Sequence, residues 1–125
     1  MKQYFIVGGS SGIGKELCSV LAGEGNTVYA TYNDKQPDNS EKVEYFKLDV
    51  AQEELDLGAL PETIDGMVYC PGSIELAPFH RFSADDFLKD YQLQVVGAVK
   101  VLQAILPKLK SADNPSIVLF STVAV

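Results

Sequence analysis

The segment Val7-Gly8-Gly9-Ser10-Ser11-Gly12-Ile13-Gly14 constrains this chain more than any other. Before it, Lys2-Gln3-Tyr4-Phe5-Ile6-Val7 has the continuous apolar end of a strand buried on both faces, as in parallel sheets. After it, Ile13, Leu17, Val20 and Leu21 recur at helical spacing and predict the inner face of a helix. Gly23 and Gly25 end that helix. At a strand-to-helix turn the backbone N–H groups of the helix N-terminus point outward and attract an anion. Glycines keep side chains out of the path of a pyrophosphate, and Ser10 and Ser11 add hydroxyl donors. Gly9-x-x-x-x-Gly14-Lys15 almost spells a Walker A loop, but Glu16 stands where Ser or Thr should hold Mg²⁺. The spacing Gly8-x-x-x-Gly12-x-Gly14 fits a dinucleotide loop instead. A purely structural tight turn is the alternative.

The rest of the chain continues the alternation. Thr27-Val28-Tyr29-Ala30-Thr31-Tyr32 reads as a second strand. Residues 33–42 hold Asp, Lys, Pro, Asn and Ser and read as a loop. A third strand is expected over 43–48. Residues 51–60 are polar, with leucines at 55, 57 and 60, and predict a short helix. Gly66-Met67-Val68-Tyr69-Cys70 predicts a fourth strand, broken by Pro71-Gly72. Ser83-Ala84-Asp85-Asp86 resembles a capping box, and a long helix follows to about Lys110, with Pro107 expected to kink or end it. Its apolar stripe of Phe87, Tyr91, Val95, Val99, Leu102 and Leu106 is widened by Leu88, Val96, Val101 and Ile105. A helix this apolar covers a sheet on one side and something else, such as a second chain, on the other. Residues 116–121 predict a fifth strand. Such alternation argues for a parallel sheet with helices on both faces.

Composition narrows the function classes. The 125 residues carry 10 Lys+Arg against 17 Asp+Glu, a net charge of −7, and no basic cluster. A nucleic-acid surface is therefore not expected. No apolar run reaches the roughly 18–20 residues of a membrane span, and Tyr4 to Val7 is too short for a secretory signal, so a cytoplasmic location is expected. Cys18 and Cys70 form no CxxC pair, and with the single His80 they make no metal set. They read as buried free thiols, and His80 as a solvated loop residue.

With its glycine loop, the chain resembles the N-terminal half of the short-chain dehydrogenase/reductase family. The family's loop reads Thr-Gly-x-x-x-Gly-Ile-Gly; here Val7 replaces the Thr, and the glycines fall on Gly8, Gly12 and Gly14 around Ile13. Leu48-Asp49-Val50 is similar to the family's Asp-Val pair, whose acid meets the adenine. Tyr69-Cys70-Pro71-Gly72 stands where the family has Asn-Asn-Ala-Gly, so only backbone contacts carry over. In Leu93-Gln94-Val95-Val96-Gly97, Gln94 occupies the slot of the helix Asn that supports a proton relay. Ile117-Val118-Leu119-Phe120-Ser121-Thr122 is similar to the catalytic-serine strand, with Thr122 in the serine slot and Ser121 its neighbour. The family's Tyr-x-x-x-Lys occurs nowhere in the 125 residues.

The resemblance implies an α/β fold, a Rossmann-like doubly wound parallel sheet truncated after the fifth strand. Residues 1–125 would form one dinucleotide-binding domain, incomplete, and catalytically silent by itself. The complete parent would transfer a hydride between nicotinamide and a small carbonyl or alcohol substrate. Register from Gly14 sets Tyr32, then Asn33, in the slot that reads the adenosine ribose. With no carboxylate there to repel a 2′-phosphate, NADP(H) is expected over NAD(H). A homo-oligomer through the 84–109 helix is expected. The second function class is a non-catalytic nucleotide-binding or assembly module of the same fold.

Overall fold

Alternate residues of a strand face opposite sides of a sheet, and that alternation sorts the core into two layers. The computed structural model describes residues 1–9, 12–33, 37, 42–70 and 79–120. Its strands are β1 (Gln3–Val7), β2 (Thr27–Tyr32), β3 (Val43–Lys47), β4 (Gly66–Tyr69) and β5 (Ser116–Leu119). They form one sheet in the order β3-β2-β1-β4-β5, every pair parallel. Central β1 sets Phe5 beside Tyr29 and Met67, and Ile6 beside Ala30 and Val68.

One layer takes Phe5, Val7, Met67 and Tyr69 and packs them on Ala98, Val101, Ile105 and Leu109 of a helix, α3 (Gly97–Lys110). The other takes Ile6, Val28, Ala30, Val43 and Val68 and packs them on Cys18 and Ala22 of α1 (Gly12–Gly23). Phe5, Ile6, Val101 and Ile105 are each 0% exposed. Leaving water stabilises the fold by about 1.5–3 kcal/mol for each such side chain. Helices thus cover both faces, as the alternation predicts.

The inner face of α1 differs from the expected one. Gly14, Cys18 and Ala22 are its buried residues, with Leu17 and Leu21 partly buried, whereas Ile13 and Val20 are exposed. Small residues four apart let the helix settle close to the sheet, and they register weakly in a hydropathy pattern. Gly25, at φ 90, closes the helix in the left-handed region.

The helix expected over 51–60 does not form; those residues are turns and bends. Short side-chain links take over the backbone. Asp49 Oδ1 accepts from the Ala51 amide at 2.9 Å, and Asp56 Oδ1 from the Gly58 amide at 3.1 Å. Leu55 and Leu57 pack on the core individually.

The capping box is present at α2 (Ala84–Tyr91). The Ser83 hydroxyl accepts from the Asp86 amide at 3.2 Å, and the Asp86 carboxylate accepts from the Ser83 amide at 2.8 Å. Those bonds hold the Asp86 carboxyl below its ordinary value. Pro107 does not end the long helix, which runs on through α3 to Lys110. Near a C-terminus, a proline removes little of the remaining ladder. The interruption falls earlier, at a π-helical segment, Gln92–Val96, joining α2 to α3.

Candidate cofactor site

From β1 the chain builds outward to β2 and β3 on one side, then crosses to β4 and β5 on the other. Beyond the carboxyl ends of β1 and β4 this reversal opens a crevice, the place where open α/β sheets take ligands. Gly8 and Gly9 directly follow β1 at this reversal. The Gly8 amide donates to Thr31 Oγ1 at 2.9 Å and the Gly9 amide to the Thr31 carbonyl at 3.0 Å. The Cys70 amide donates to the Val7 carbonyl at 2.8 Å, extending β4 along the crevice.

Each glycine of the loop has its own reason. Gly8 and Gly12 hold φ of 82 and 57, the left-handed region that L side chains rarely adopt. Among the described residues, a Cβ on Gly12 would meet nothing within 4 Å. A Cβ on Gly14 would overlap the Gly8 carbonyl oxygen, so Gly14 lets α1 press against the loop. Gly9, given no role by the sequence spacing, is a packing glycine. A Cβ on it would lie 2.7 Å from Ala30 Cβ and 2.9 Å from Cys18 Sγ. Two adjacent glycines where the pattern needs one were its only signal. Ser10 and Ser11 lie outside the described residues.

At the carboxyl ends of β2 and β3 lies an open pocket of about 460 Å³ lined by Asn33, Lys47, Leu48, Asp49, Gln52, Glu54 and Asp56. Asn33 and Asp49, expected to border ribose and adenine, therefore meet in one pocket. Tyr32 is half-buried, and its carbonyl accepts from the Leu48 amide at 3.0 Å. The Val50 side chain faces the core, 5% exposed, so only its backbone can flank the pocket. Three carboxylates face one ammonium in the lining, which makes it acidic.

On the other wall, Tyr69 ends β4 and its hydroxyl donates to the Leu93 carbonyl at 2.5 Å. Burial pushes the Tyr69 phenol up to about 12. Gly97 makes room for this ring, since a Cβ there would overlap the Tyr69 hydroxyl oxygen. Gln94 is exposed, and its Nε2 donates to Asp90 Oδ1 at 2.7 Å. Cys70 is half-buried and Cys18 buried; both are free thiols. Burial, with Cys70 nearby, pushes the Cys18 thiol up to about 11, and burial raises Cys70 as well. His80 is exposed. Pro71, Gly72, Ser121 and Thr122 lie outside the described residues. Among the described residues, no group of three or more His, Cys, Asp or Glu side chains is placed to hold a metal ion, and no helix is long and apolar enough to cross a membrane.

The family model for short chain dehydrogenases matches residues 2–125. The chain belongs to the short-chain dehydrogenase family. Solved structures agree on the fold. A short-chain dehydrogenase from Streptomyces avermitilis is 22% identical with a TM-score of 0.87, covering 98% of this chain and 50% of its own. A family protein from Francisella tularensis is 21% identical with a TM-score of 0.83, over 98% of this chain and 51% of its own. Serine dehydrogenase from Escherichia coli is 22% identical with a TM-score of 0.77, over 92% and 59%. This short-chain dehydrogenase chain thus spans about half the length of the solved structures it matches. A comparison with curated proteins finds no match.

Proposed function

We propose that the chain is the cofactor-binding part of an NAD(P)-dependent oxidoreductase acting on a small carbonyl or alcohol. The observation that carries this reading is the loop itself. Gly8 and Gly12 adopt left-handed backbone, Gly14 admits α1 against Gly8, and no described residue crowds Gly12, all at the reversal point of the sheet. A pyrophosphate would be held by Gly8, Ser10, Ser11, Gly12, Ile13 and Gly14, with amides and hydroxyls as donors. Tyr32 and Asn33 would border the adenosine ribose, and Asp49 and the Val50 backbone the adenine. Cys70, Pro71 and Gly72 would let the backbone approach the nicotinamide side. When bound, the nicotinamide gives or accepts a hydride. Thr122, with Ser121 beside it, would hydrogen-bond the substrate oxygen, and Gln94 would support the proton path. Nothing among residues 1–125 matches the acid-base Tyr-x-x-x-Lys, so this chain alone binds and orients without turnover.

NADP(H) is proposed over NAD(H), because Tyr32 and Asn33 present no carboxylate where the ribose hydroxyls are read. The donors for a 2′-phosphate would be Ser11 and Lys35. Calorimetric titration of the chain with NADPH and NADH tests both statements. Binding of NADPH with the lower dissociation constant is expected. Binding of neither would overturn the reading, and tighter NADH would overturn the preference.

A second reading, an assembly role, rests on an apolar surface. Phe87, Leu88, Tyr91, Val95, Val99 and Leu106 are all exposed along the α2–α3 run. Self-association through the 84–109 helix is proposed from it. A cytoplasmic setting fits the two free thiols.

A further inference from the structure

Lys100 stands in the apolar run Gly97-Ala98-Val99-Lys100-Val101-Leu102, where a cation has no evident business. It does not extend into solvent like a surface lysine. Its half-buried Nζ donates to the Val50 carbonyl at 3.0 Å and also to the Gln52 carbonyl. Both acceptors belong to the loop after β3, some fifty residues earlier in the chain. Ordering a long flexible side chain across that gap needs a compensating gain, and ammonium-to-carbonyl bonds in a partly dry site are among the stronger ones.

The loop so held forms no helix; the side chains of Leu48, Val50, Leu55 and Leu57 seat it on the core, while short hydrogen bonds shape its backbone at Asp49. The Asp49 carbonyl accepts from the Gln52 amide at 3.1 Å, and Asp49 Oδ1 accepts from the Ala51 amide at 2.9 Å. That turn leaves Asp49 Oδ2 with no hydrogen bond from any described residue, at a pocket that Asp49 and Gln52 both line. One turn before Lys100, Gly97 lies close against the same loop: a Cβ there would stand 2.9 Å from Val50 Cγ2. α3 therefore presses on the loop at Gly97 and ties its carbonyls at Lys100.

We propose that Lys100 is a positioning residue for nucleotide binding. It pins the Val50 and Gln52 carbonyls so that the Asp49 carboxylate is preset toward the adenosine end of the ligand. This rests on the dinucleotide reading above. Lys100 touches no ligand in this scheme. It acts by removing the freedom the loop would otherwise lose on binding.

The test titrates ADP-ribose, which lacks the nicotinamide, into the full chain and its Lys100→Ala and Lys100→Arg variants. Amide hydrogen exchange is followed alongside. Lys100→Ala is expected to bind about tenfold more weakly, the size of one lost charge-assisted interaction. Lys100→Arg, still a cation with several donors, is expected to recover most of that loss. In Lys100→Ala the Ala51 amide should exchange faster, while the Gly9 amide, bonded to the Thr31 carbonyl of β2, stays protected. Faster exchange at both sites would mean general loosening and would overturn the proposal. So would unchanged affinity in Lys100→Ala or unchanged exchange at Ala51. If the unaltered chain binds no ADP-ribose, the dinucleotide reading falls and takes the affinity effect with it. If it binds and Lys100→Ala binds equally, the assignment to Lys100 alone falls.

Discussion

The Tyr69 hydroxyl donates to the Leu93 carbonyl across 2.5 Å, joining the end of β4 to the π-helical segment of the long helix. A π-turn shifts the backbone ladder, and a strong side-chain donor gives the Leu93 carbonyl a partner. Replacing Tyr69 by Phe keeps the packing and removes the donor. A loss of about 1–2 kcal/mol in urea unfolding is expected, because a half-dry carbonyl loses its partner. The pH dependence has a definite sign. The protonated phenol makes the bond, and its folded value is raised from 10.0 to about 12. Its contribution is therefore complete below pH 10 and is lost as pH rises through about 12. Tyr69→Phe should lose less stability over that interval; equal slopes would refute the assignment.

Gly12 and Gly14 should respond differently to alanine. At Gly12 a Cβ meets no described residue, and the cost is that of the φ of 57, about 1–2 kcal/mol. At Gly14 the Cβ overlaps the Gly8 carbonyl, so α1 must move off the loop. Gly14→Ala should unfold at markedly lower urea than Gly12→Ala and bind no dinucleotide. Equal midpoints would show that the loop yields more easily than its contacts imply.

The acidic pocket makes a prediction about cofactor choice. Glu54 and Asp56 line it with Asp49, against the single Lys47. Neutralising the pair as Glu54→Gln with Asp56→Asn should tighten NADPH binding by about threefold and leave NADH nearly unchanged, since exposed charges interact weakly. Added salt should shrink the difference. Equal gains for both cofactors would place the 2′-phosphate out of reach of these acids.

The exposed stripe predicts association. Light scattering at rising concentration should show the chain as more than a monomer. Leu88→Lys with Val95→Lys puts charge on two exposed positions, so the fold should survive by circular dichroism while the larger species disappears. An associated double variant would move the interface elsewhere. β5 also exposes apolar side chains, Ile117, Val118 and Leu119.

Much of the fold was legible because strands and turns are local. The β-α-β order, the glycine loop and the Ser83 capping box follow from neighbouring residues whose spacing already sets backbone geometry. Local pattern misled where long-range contacts compete with it. Residues 51–60 have leucines at loosely helical spacing, yet side-chain turns at Asp49 and Asp56 and the ammonium of Lys100 claim the backbone instead. The buried face of α1 was misplaced because Gly14 and Ala22 matter for their smallness, which hydropathy does not weigh.

The sequence by itself determined that a strand, a glycine turn and a helix follow one another at an anion-binding corner. Chain order and the backbone freedom of Gly8 and Gly12 suffice for that. Only the tertiary structure decided that Asn33 and Asp49 share a pocket, that Gly9 is needed for packing, and that the long helix is tied to the loop after β3 through Lys100 and to the end of β4 through Tyr69. Those relations join residues tens of positions apart. They exist because parallel pairing and the burial of two apolar layers bring distant segments to one edge of the sheet.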